Sequence, residues 1–575
     1  MKAPTLLLSF LCLLPLFLTA QAEPKEEPPY NVLFIICDDL NDYVSGIGGQ
    51  RGHAATSTPH LDRFGQTATQ FPMAYTNNPV CAPSRSSLFY GMYHQTSGSL
   101  FWEEWYNSSE RAGNSFTLNR FFKEHGYTTI GSGKVNHHMW KGYNQRRSSE
   151  FELNRDIEWS HYAHMTDYGP FWGTSGKDFK GMPDVPSPFR DLAKSVGSTG
   201  GIDDSYGSMQ AAWESPKRKD DERFFYGGAP YWGAPFRYVN EDDRDPTPDE
   251  RNAAWAVAQL KQFEKQANPF FLAVGFVRPH TPLHAPQKYF DRFPLEPGGI
   301  VDQFIAARIL EGDIEDTHMH GLVDMSSNAR NKGPRYYEKL LQSYDNNRLQ
   351  ALRTYAQAYL ACVAAVDDNI GEILTYLEQS PLADNTIVVV TSDHGYHIGE
   401  KEWLFKASPW EESCRVPLLI RVPGMTQPGI EVKNIPVSLV DLYPTLVDLC
   451  GLPQDNRMNS KGAFLDGYSL RPLIENPYLE SSDWTGHKAA LTLVHNPKGG
   501  SKLSGHHLSI RTKDYRYIRY SNGKEELYNH LVDPDEWHNV IGTDKAATQY
   551  HRQLLKDMLK DMGNNRNRFN SPVAY

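Results

Sequence analysis

The sequence predicts an α/β fold, with helices flanking a large and mostly parallel central sheet. Three apolar runs carry that reading: NVLFIICDDL (31–40), PFFLAVGF (269–276) and TIVVVTSDHG (386–395). They are continuous rather than alternating, as strands buried on both faces are. Helical patterns lie between them, and strands alternating with helices imply parallel pairing through crossovers. Each run also ends in polar residues: Asp38 and Asp39 after the first, Arg-Pro-His (278–280) after the second, Asp393 and His394 after the third. In such sheets chemistry gathers at the carboxyl ends of strands.

Taken in order, the chain opens with Lys2, an apolar stretch LLLSFLCLLPLFL and a TAQAE segment. This reads as a secretion signal cleaved near Ala22, giving a secreted or periplasmic protein. The run is too short for a membrane anchor and Pro15 interrupts it. A catalytic domain is expected over 28–484. Within it, TLNRFFKEHGYTTIG (117–131) reads as a helix, a glycine stop and a strand. Residues 349–379 read as a long amphipathic helix, and 437–452 as a helix ended by Gly451. Residues 140–235 are rich in Gly, Pro, Trp and Tyr without periodicity, so a loop-rich insertion near the site is expected. From about residue 485 the texture changes. AALTLVH and HLSIRTKDYRYIRYSNGKEELYN alternate like antiparallel strands, and the helix ATQYHRQLLKDMLKDM follows. A smaller C-terminal α+β subdomain over 485–575 is the reading.

Composition narrows the class of function. The chain of 575 residues carries a formal net charge of −11. An acidic chain does not bind polyanions through its overall field, so nucleic acid is not an expected partner, and an anionic substrate must be met by a local basic pocket. No later segment is apolar enough to insert in a membrane. Beyond the leader, Cys37, Cys81, Cys362, Cys414 and Cys450 are odd in number and scattered, with no C-x-x-C pair. That is neither a disulfide framework nor a structural zinc site. Four read as core thiols. Cys81 stands apart, in the polar, proline-bearing stretch VCAPSRSSLFYG (80–91).

A carboxylate pair and a separate Asp-His, each at a strand end, suggest an oxygen-rich divalent metal site suited to calcium or magnesium. Taken alone, each also fits a helix cap or a solvated turn. CAPSR resembles the C-x-P-x-R signature of the formylglycine-dependent sulfatases of the alkaline-phosphatase superfamily. The resemblance runs from about residue 29 to 545. GKVNHH (133–138), FFLAVGFVRPHTP (270–282) and TSDHGYHIGEKEWLFK (391–406) are similar to the iduronate-2-sulfatase-like branch. One departure is visible: Phe89-Tyr90-Gly91 stands where the family signature usually ends Leu-Thr-Gly.

The resemblance implies an alkaline-phosphatase-like sheet and a set of roles. Cys81 would be oxidised by a formylglycine-generating or sulfatase-maturating enzyme to 3-oxoalanine, whose hydrate is the nucleophile. Asp38, Asp39, Asp393 and His394 would hold one Ca²⁺, with residue 81 completing its shell. Arg85 would pair with the hydrate and a carboxylate, and Lys134 and Lys406 would grip the sulfate. His137 would be the base that releases sulfate, His280 the acid for the leaving alcohol, and Asp393 an aid to deprotonation. Imidazole suits both proton-transfer roles. His138, His284 and His397 are neighbours that compete for them.

Substrate is read from less. Trp102 and Trp105, just past the signature, are candidates to stack on a sugar face, and packing is the equal alternative. Trp172, Trp213 and Trp232 are candidate walls in the insertion. A secreted enzyme with such aromatics points to a sulfated carbohydrate. Two rivals stay open: a phosphodiesterase or phosphonate hydrolase of the same superfamily, and a carbohydrate-binding pseudo-enzyme that keeps the fold.

Overall fold

The computed structural model describes residues 29–44, 56–101, 105, 108–137, 155–164, 166–192, 203–228, 230–323 and 332–563. The leader, Trp102 and His138 lie outside them.

The first apolar run forms β1 (Asn31–Asp38), buried along its whole length. It sits at the centre of a seven-stranded sheet with β2 (Thr69–Gln70), β3 (Thr128–Gly133), β4 (His161–Tyr162), β5 (Phe270–Pro279), β6 (Thr386–Ser392) and β7 (Leu418–Arg421). Their order is β2-β7-β6-β1-β5-β3-β4. Pairing is parallel from β6 to β4, and β7 alone runs against its neighbours. The two other predicted runs flank the first directly: Val32 is level with both Phe271 and Ile387.

Period-two alternation sends each strand's side chains into two different cores. Leu33, Ile35, Leu272, Val274, Val388 and Val390 face one layer, which holds α3 (Pro248–Phe263) and the long α4 (Arg348–Gln379). Val32, Phe34, Phe271, Ala273, Ile387 and Val389 face the other, with α2 (Cys81–Tyr90) and α5 (Leu442–Leu449). In the first layer, α1 (Pro59–Gly65) is tied to α4 by Asp367, which accepts the His60 and Leu61 amides at 3.0 and 2.8 Å. Burial on both faces explains why β1, β5 and β6 show no polar alternation in sequence.

Two expectations change in detail. The predicted 437–452 helix begins only at Leu442: Val437–Ser438 is a short strand and a 3₁₀ turn follows, although Gly451 ends the segment at φ 64° as expected. The described part of the insertion contains a four-stranded antiparallel sheet, formed by Phe171–Ser175, Asp178–Phe179, Arg223–Phe225 and Pro235–Phe236. Strands of two to five residues leave no readable period, which is why the sequence showed only loop.

Near the C-terminus, β8 (Ala490–Val494), β9 (His507–Arg511), β10 (Tyr515–Arg519) and β11 (Glu525–Asn529) form an antiparallel sheet in sequence order. Its outer face carries Leu491, Leu493, Leu508, Ile510, Tyr517 and Leu527, which pack under α6 (Lys545–Gly563) through Leu555, Met558 and Met562. Its inner face packs on Trp403, Trp410, Tyr75 and Cys414. No helix among the described residues is long and apolar enough to cross a membrane.

Candidate active site

The carboxyl ends of β1, β5 and β6 converge with the start of α2. β1 and β6 run level to Cys37 and Ser392, so Asp38 and Asp393 emerge side by side. Asp39 takes a left-handed backbone at φ 66°, uncommon for a residue with a Cβ. The turn lets consecutive carboxylates serve the same space, and the Tyr359 hydroxyl pins it by donating to the Asp39 carbonyl at 2.8 Å.

Cys81 is the first residue of α2, after the extended Val80. Its Sγ lies 3.3 Å from His394 Nε2 and 3.2 Å from Lys406 Nζ. Burial pushes the thiol up to about 12, so it is un-ionised at neutral pH and no thiolate nucleophile is available there. Arg85, one turn on, is fully buried and makes four hydrogen bonds. Nε donates to Asp393 Oδ2 at 2.8 Å, Nη1 to the Lys134 and Val135 carbonyls, and Nη2 to the Cys37 carbonyl at 3.2 Å. Burial alone would raise Asp393, but Arg85, His394 and the two lysines hold it well below the usual carboxylate range.

Lys134 arrives from the end of β3, beside β5. A Cβ on Gly275 would meet the Lys134 carbonyl carbon at 2.0 Å, so only glycine lets the two backbones pass. The Lys134 amide then donates to the Gly275 carbonyl at 2.8 Å. Its ammonium lies against Asp38 and 4.8 Å over the Tyr168 ring. Burial pulls this lysine well below its ordinary value. Lys406 Nζ donates to Asp39 Oδ1 at 2.6 Å. Asp39 is pushed up to about 7 by burial, against the pull of Lys406.

His280 Nε2 stands 4.0 Å from Asp38 Oδ2 and 3.9 Å from Asp39 Oδ2. Its Nδ1 faces the Thr281 carbonyl at 2.7 Å and therefore carries a proton, which aims Nε2 into the site. Burial, then Lys406 and Lys134, hold it well below the ordinary histidine value. His137 is buried at the end of the β3 segment, three residues beyond Lys134. Two of the competing histidines, His284 and His397, have structural partners. His284 bridges Ser205 Oγ and the Pro170 carbonyl at 2.7 and 2.9 Å, and His397 bonds Ser408 Oγ at 2.7 Å.

The donor set fits a hard divalent cation. Asp38, Cys81, Asp393 and His394 each place a ligand atom within 4.8 Å of the others, and Asp39, Cys81 and His280 form an overlapping group. Both Asp38 oxygens are buried, and their partners among the described residues are ion pairs, Lys134 at Oδ2 and Arg85 at Oδ1, rather than hydrogen-bond donors. His394 Nδ1 faces the Gly395 carbonyl at 2.9 Å, leaving Nε2 as the lone-pair nitrogen toward Cys81. An imidazole oriented by a backbone carbonyl is a usual metal-ligand arrangement. Burial lowers His394 to about 3, so the ring is neutral and able to ligate at neutral pH.

Three contributors escaped the sequence reading. Tyr168, from the insertion, touches both Lys134 and His280, its ring 5.0 Å from the imidazole. Asp249 accepts the Val277 and Arg278 amides at 2.9 Å each, where β5 bulges against β1 just before His280. Arg278 then clamps the carbonyls of Gly169, His280 and His284 at 3.0, 3.1 and 3.1 Å. The Thr-Pro-Asp-Glu capping box at 247–250 was the one legible trace of Asp249. For Trp105, packing is what the structure shows: it is fully buried beside Phe89, ring centroids 6.2 Å apart, and presents no face to a sugar. Trp172 is likewise core, 4.8 Å from Phe224. Trp213 is partly buried under Arg218, 4.0 Å away, whereas Trp232 is exposed.

A parallel sheet that gathers carboxylates, lysines and histidines around a buried cysteine at a helix start defines a hydrolase of anionic esters. The sulfatase family model matches residues 30–452, and a model of the N-sulphoglucosamine sulphohydrolase C-terminal region matches residues 399–565. The chain belongs to the sulfatase family, whose members are sulfuric ester hydrolases, formylglycine-dependent and metal-binding. It is 28% identical to a sulfatase of Formosa agariphila over 93% of this chain and 87% of the relative. It is 25% identical to iduronate 2-sulfatase of Homo sapiens over 91% and 93%. Among solved structures, it resembles one in complex with its substrate D-glucosamine-2-N,6-O-disulfate (TM-score 0.57, 21% identity, 94% of this chain and 99% of that one). It also resembles the phosphonate monoester hydrolase of Agrobacterium radiobacter (TM-score 0.61, 19% identity, 93% and 96%).

Proposed function

We propose that this protein is a secreted or periplasmic sulfatase that removes sulfate from a carbohydrate, using a formylglycine made from Cys81 and one bound Ca²⁺. The observation that carries this reading is the placement of Cys81: an un-ionised, buried sulfur between His394 and Lys406, at the meeting point of three carboxylates. A thiol so placed is a poor nucleophile and a well-positioned precursor.

Asp38, Asp39, Asp393 and His394 would hold the cation, which when bound neutralises sulfate oxygens and acidifies the nucleophile. The aldehyde hydrate would supply one hydroxyl to attack sulfur and a second to release sulfate by elimination. The chain's own groups do the rest. Lys134 and Lys406 bind the equatorial oxygens and counter the charge that builds there. Asp393, held ionised by Arg85, orients the attacking hydroxyl. His280, its tautomer fixed by the Thr281 carbonyl, presents Nε2 to the leaving oxygen. An anionic ester between the two lysines offsets the cationic part of what holds this histidine down, burial being the larger part, and so favours protonation with the substrate bound. His137 accepts the proton that frees sulfate.

Relatives active on sulfated sugars support a carbohydrate substrate. The test is sulfate release from a panel of sulfated saccharides, beside phosphonate and phosphate diesters, by wild type and Cys81→Ala. A mass spectrum of the peptide bearing residues 81–85 reads the aldehyde. Sulfate release by the matured wild type alone supports the reading. Faster turnover of the phosphonate ester would favour the rival hydrolase, and no turnover with the aldehyde present would favour the binding-protein reading. N-terminal sequencing of exported protein, expected to begin at Glu23, tests secretion.

A further inference from the structure

Lys406 sits on a backbone that does not hold itself. Between Lys401 and Ala407, four non-glycine residues take left-handed conformations: Lys401 at φ 53°, Glu402 at 48°, Phe405 at 70° and Ala407 at 65°. Such conformations are disfavoured for residues with a Cβ, so a stretch with this many persists only where its surroundings over-determine it. Regular structure here is slight: a 3₁₀ turn at Glu400–Glu402 and a two-residue pairing, His397 with Phe405 and Ile398 with Leu404.

The surroundings are the inner face of the C-terminal sheet. On β10 and β11, Arg516, Ile518, Glu526 and Tyr528 point away from α6 and onto this loop. Trp410 Nε1 donates to Glu526 Oε2 at 3.0 Å. Arg516 Nη1 donates to the Pro409 carbonyl at 3.2 Å, Nη2 to Glu411, and Nε to Glu536 Oε1 at 2.5 Å. Glu536 returns to the loop by accepting the Glu411 amide at 3.0 Å. Lys401 is buried at the other end, its ammonium on Asp313 Oδ1 at 2.8 Å and on the Glu536 carbonyl. Trp403 and Trp410 pack edge to face at 5.8 Å in one buried cluster with Val494, Ile518, Tyr520 and Tyr528. Two bonds pass this restraint to the site. Trp403 Nε1 donates to the Lys406 carbonyl at 3.0 Å, and the Ala407 amide donates to the Pro79 carbonyl at 3.1 Å, two residues before Cys81.

We propose that the inner face of the C-terminal sheet is a clamp for the catalytic lysine, and that Arg516 and Glu526 are positioning residues acting through Lys406. This rests on the assignment of Lys406 to sulfate binding. Arg516 satisfies two carboxylates and a backbone carbonyl at once, a pattern that the compact ammonium of lysine does not reproduce. Loss of that fork would let the strained loop relax and withdraw Lys406 from the sulfate. A shift of about 1 Å at a reacting group is enough to cost on the order of 100-fold in rate.

The test is a double-mutant cycle on the matured full-length enzyme, pairing Arg516→Lys and, separately, Glu526→Gln with Lys406→Ala. Sulfate release is read from glucosamine 6-sulfate and 4-methylumbelliferyl sulfate. Amide exchange over residues 399–411 is followed in parallel, which needs no turnover. The expected result is a loss of about tenfold or more in kcat/KM for each clamp variant, with no further loss in the Lys406→Ala background, because both act through one group. Exchange over 399–411 rises at least tenfold while the peptide containing Cys81 is unchanged. Losses that multiply in the double variant, or exchange that stays at the wild-type level in folded Arg516→Lys and Glu526→Gln, would overturn the clamp. If Lys406→Ala is as active as wild type, the assignment of Lys406 fails instead.

Discussion

At the scale of single residues, the site works by forcing unlike groups into one buried volume. Arg85 is the residue on which most depends. Its one guanidinium reaches Asp393 and three backbone carbonyls, all away from water. Arg85→Lys keeps the charge but leaves at least two of those acceptors without a donor. Each orphaned buried acceptor costs about 1–3 kcal/mol, so urea unfolding should show a loss of about 3 kcal/mol. Activity should fall by about 100-fold or more, since Asp393 also loses the guanidinium Nε–H that holds its carboxylate in place. Cys81→Ala makes the opposite pattern: turnover disappears while stability falls by only about 1–2 kcal/mol, the small cavity of a removed sulfur. The residues that sequence motifs named are those with chemistry; Tyr168, which frames them, carried no motif, and Arg278 lay inside one without its structural role being legible.

At the scale of elements, the site is set by where backbones approach. β3 and β5 meet at Gly275 with no room for a side chain. Gly275→Ala adds one methyl group to that contact. Overpacking of this kind costs about 1–3 kcal/mol, and here it must also push Lys134 off its amide bond to the Gly275 carbonyl. The expected outcome is a Tm lowered by several degrees and a kcat/KM reduced more than the loss of folded protein explains, measured by calorimetry and sulfate release on the same sample. β1, β5 and β6 were legible because burial on both faces makes a strand a continuous apolar word. The insertion's strands were not, because each spans too few residues for a period to register.

At the scale of the whole molecule, two linkages tie function to stability. Metal removal is the first. If Asp38 and Asp393, buried beside His394, hold the cation as proposed, chelation would strip it from them. EDTA should abolish activity and lower Tm, and Ca²⁺ should restore both; a site filled at 100 times its Kd contributes about 2.7 kcal/mol. The second is the contact between the C-terminal sheet and the catalytic layers. Burial would raise Glu536, but Arg516 and His530 bring it down to about 2, from 4.5. A carboxylate with a depressed folded-state value stabilises the protein above its unfolded value and loses that contribution as pH falls through the folded one. Stability should therefore drop by a few kcal/mol between about pH 5 and pH 2 through this group. Glu536→Gln should start less stable at neutral pH and show a shallower loss over that window, read from urea midpoints at each pH.

What the sequence determined by itself is local or additive. It carried the α/β class, through apolar runs whose period reports two-sided burial, and the C-terminal antiparallel sheet, through alternation and an Asn-Gly turn. It placed Asp38, Asp39, Asp393 and His394 at strand ends, and set Cys81 and Arg85 one helical turn apart. What the tertiary structure alone decided are the relations between residues far apart in the chain. Arg516 meets Glu411 across 105 positions, Trp410 meets Glu526 across 116, and Lys406 reaches Cys81 across 325. The burial of Trp105 is of the same kind: a tryptophan in a polar stretch reads alike whether it faces sugar or core. Periodicity records only whether a side chain is buried. Which partner buries it depends on how the layers close, and no local pattern encodes that.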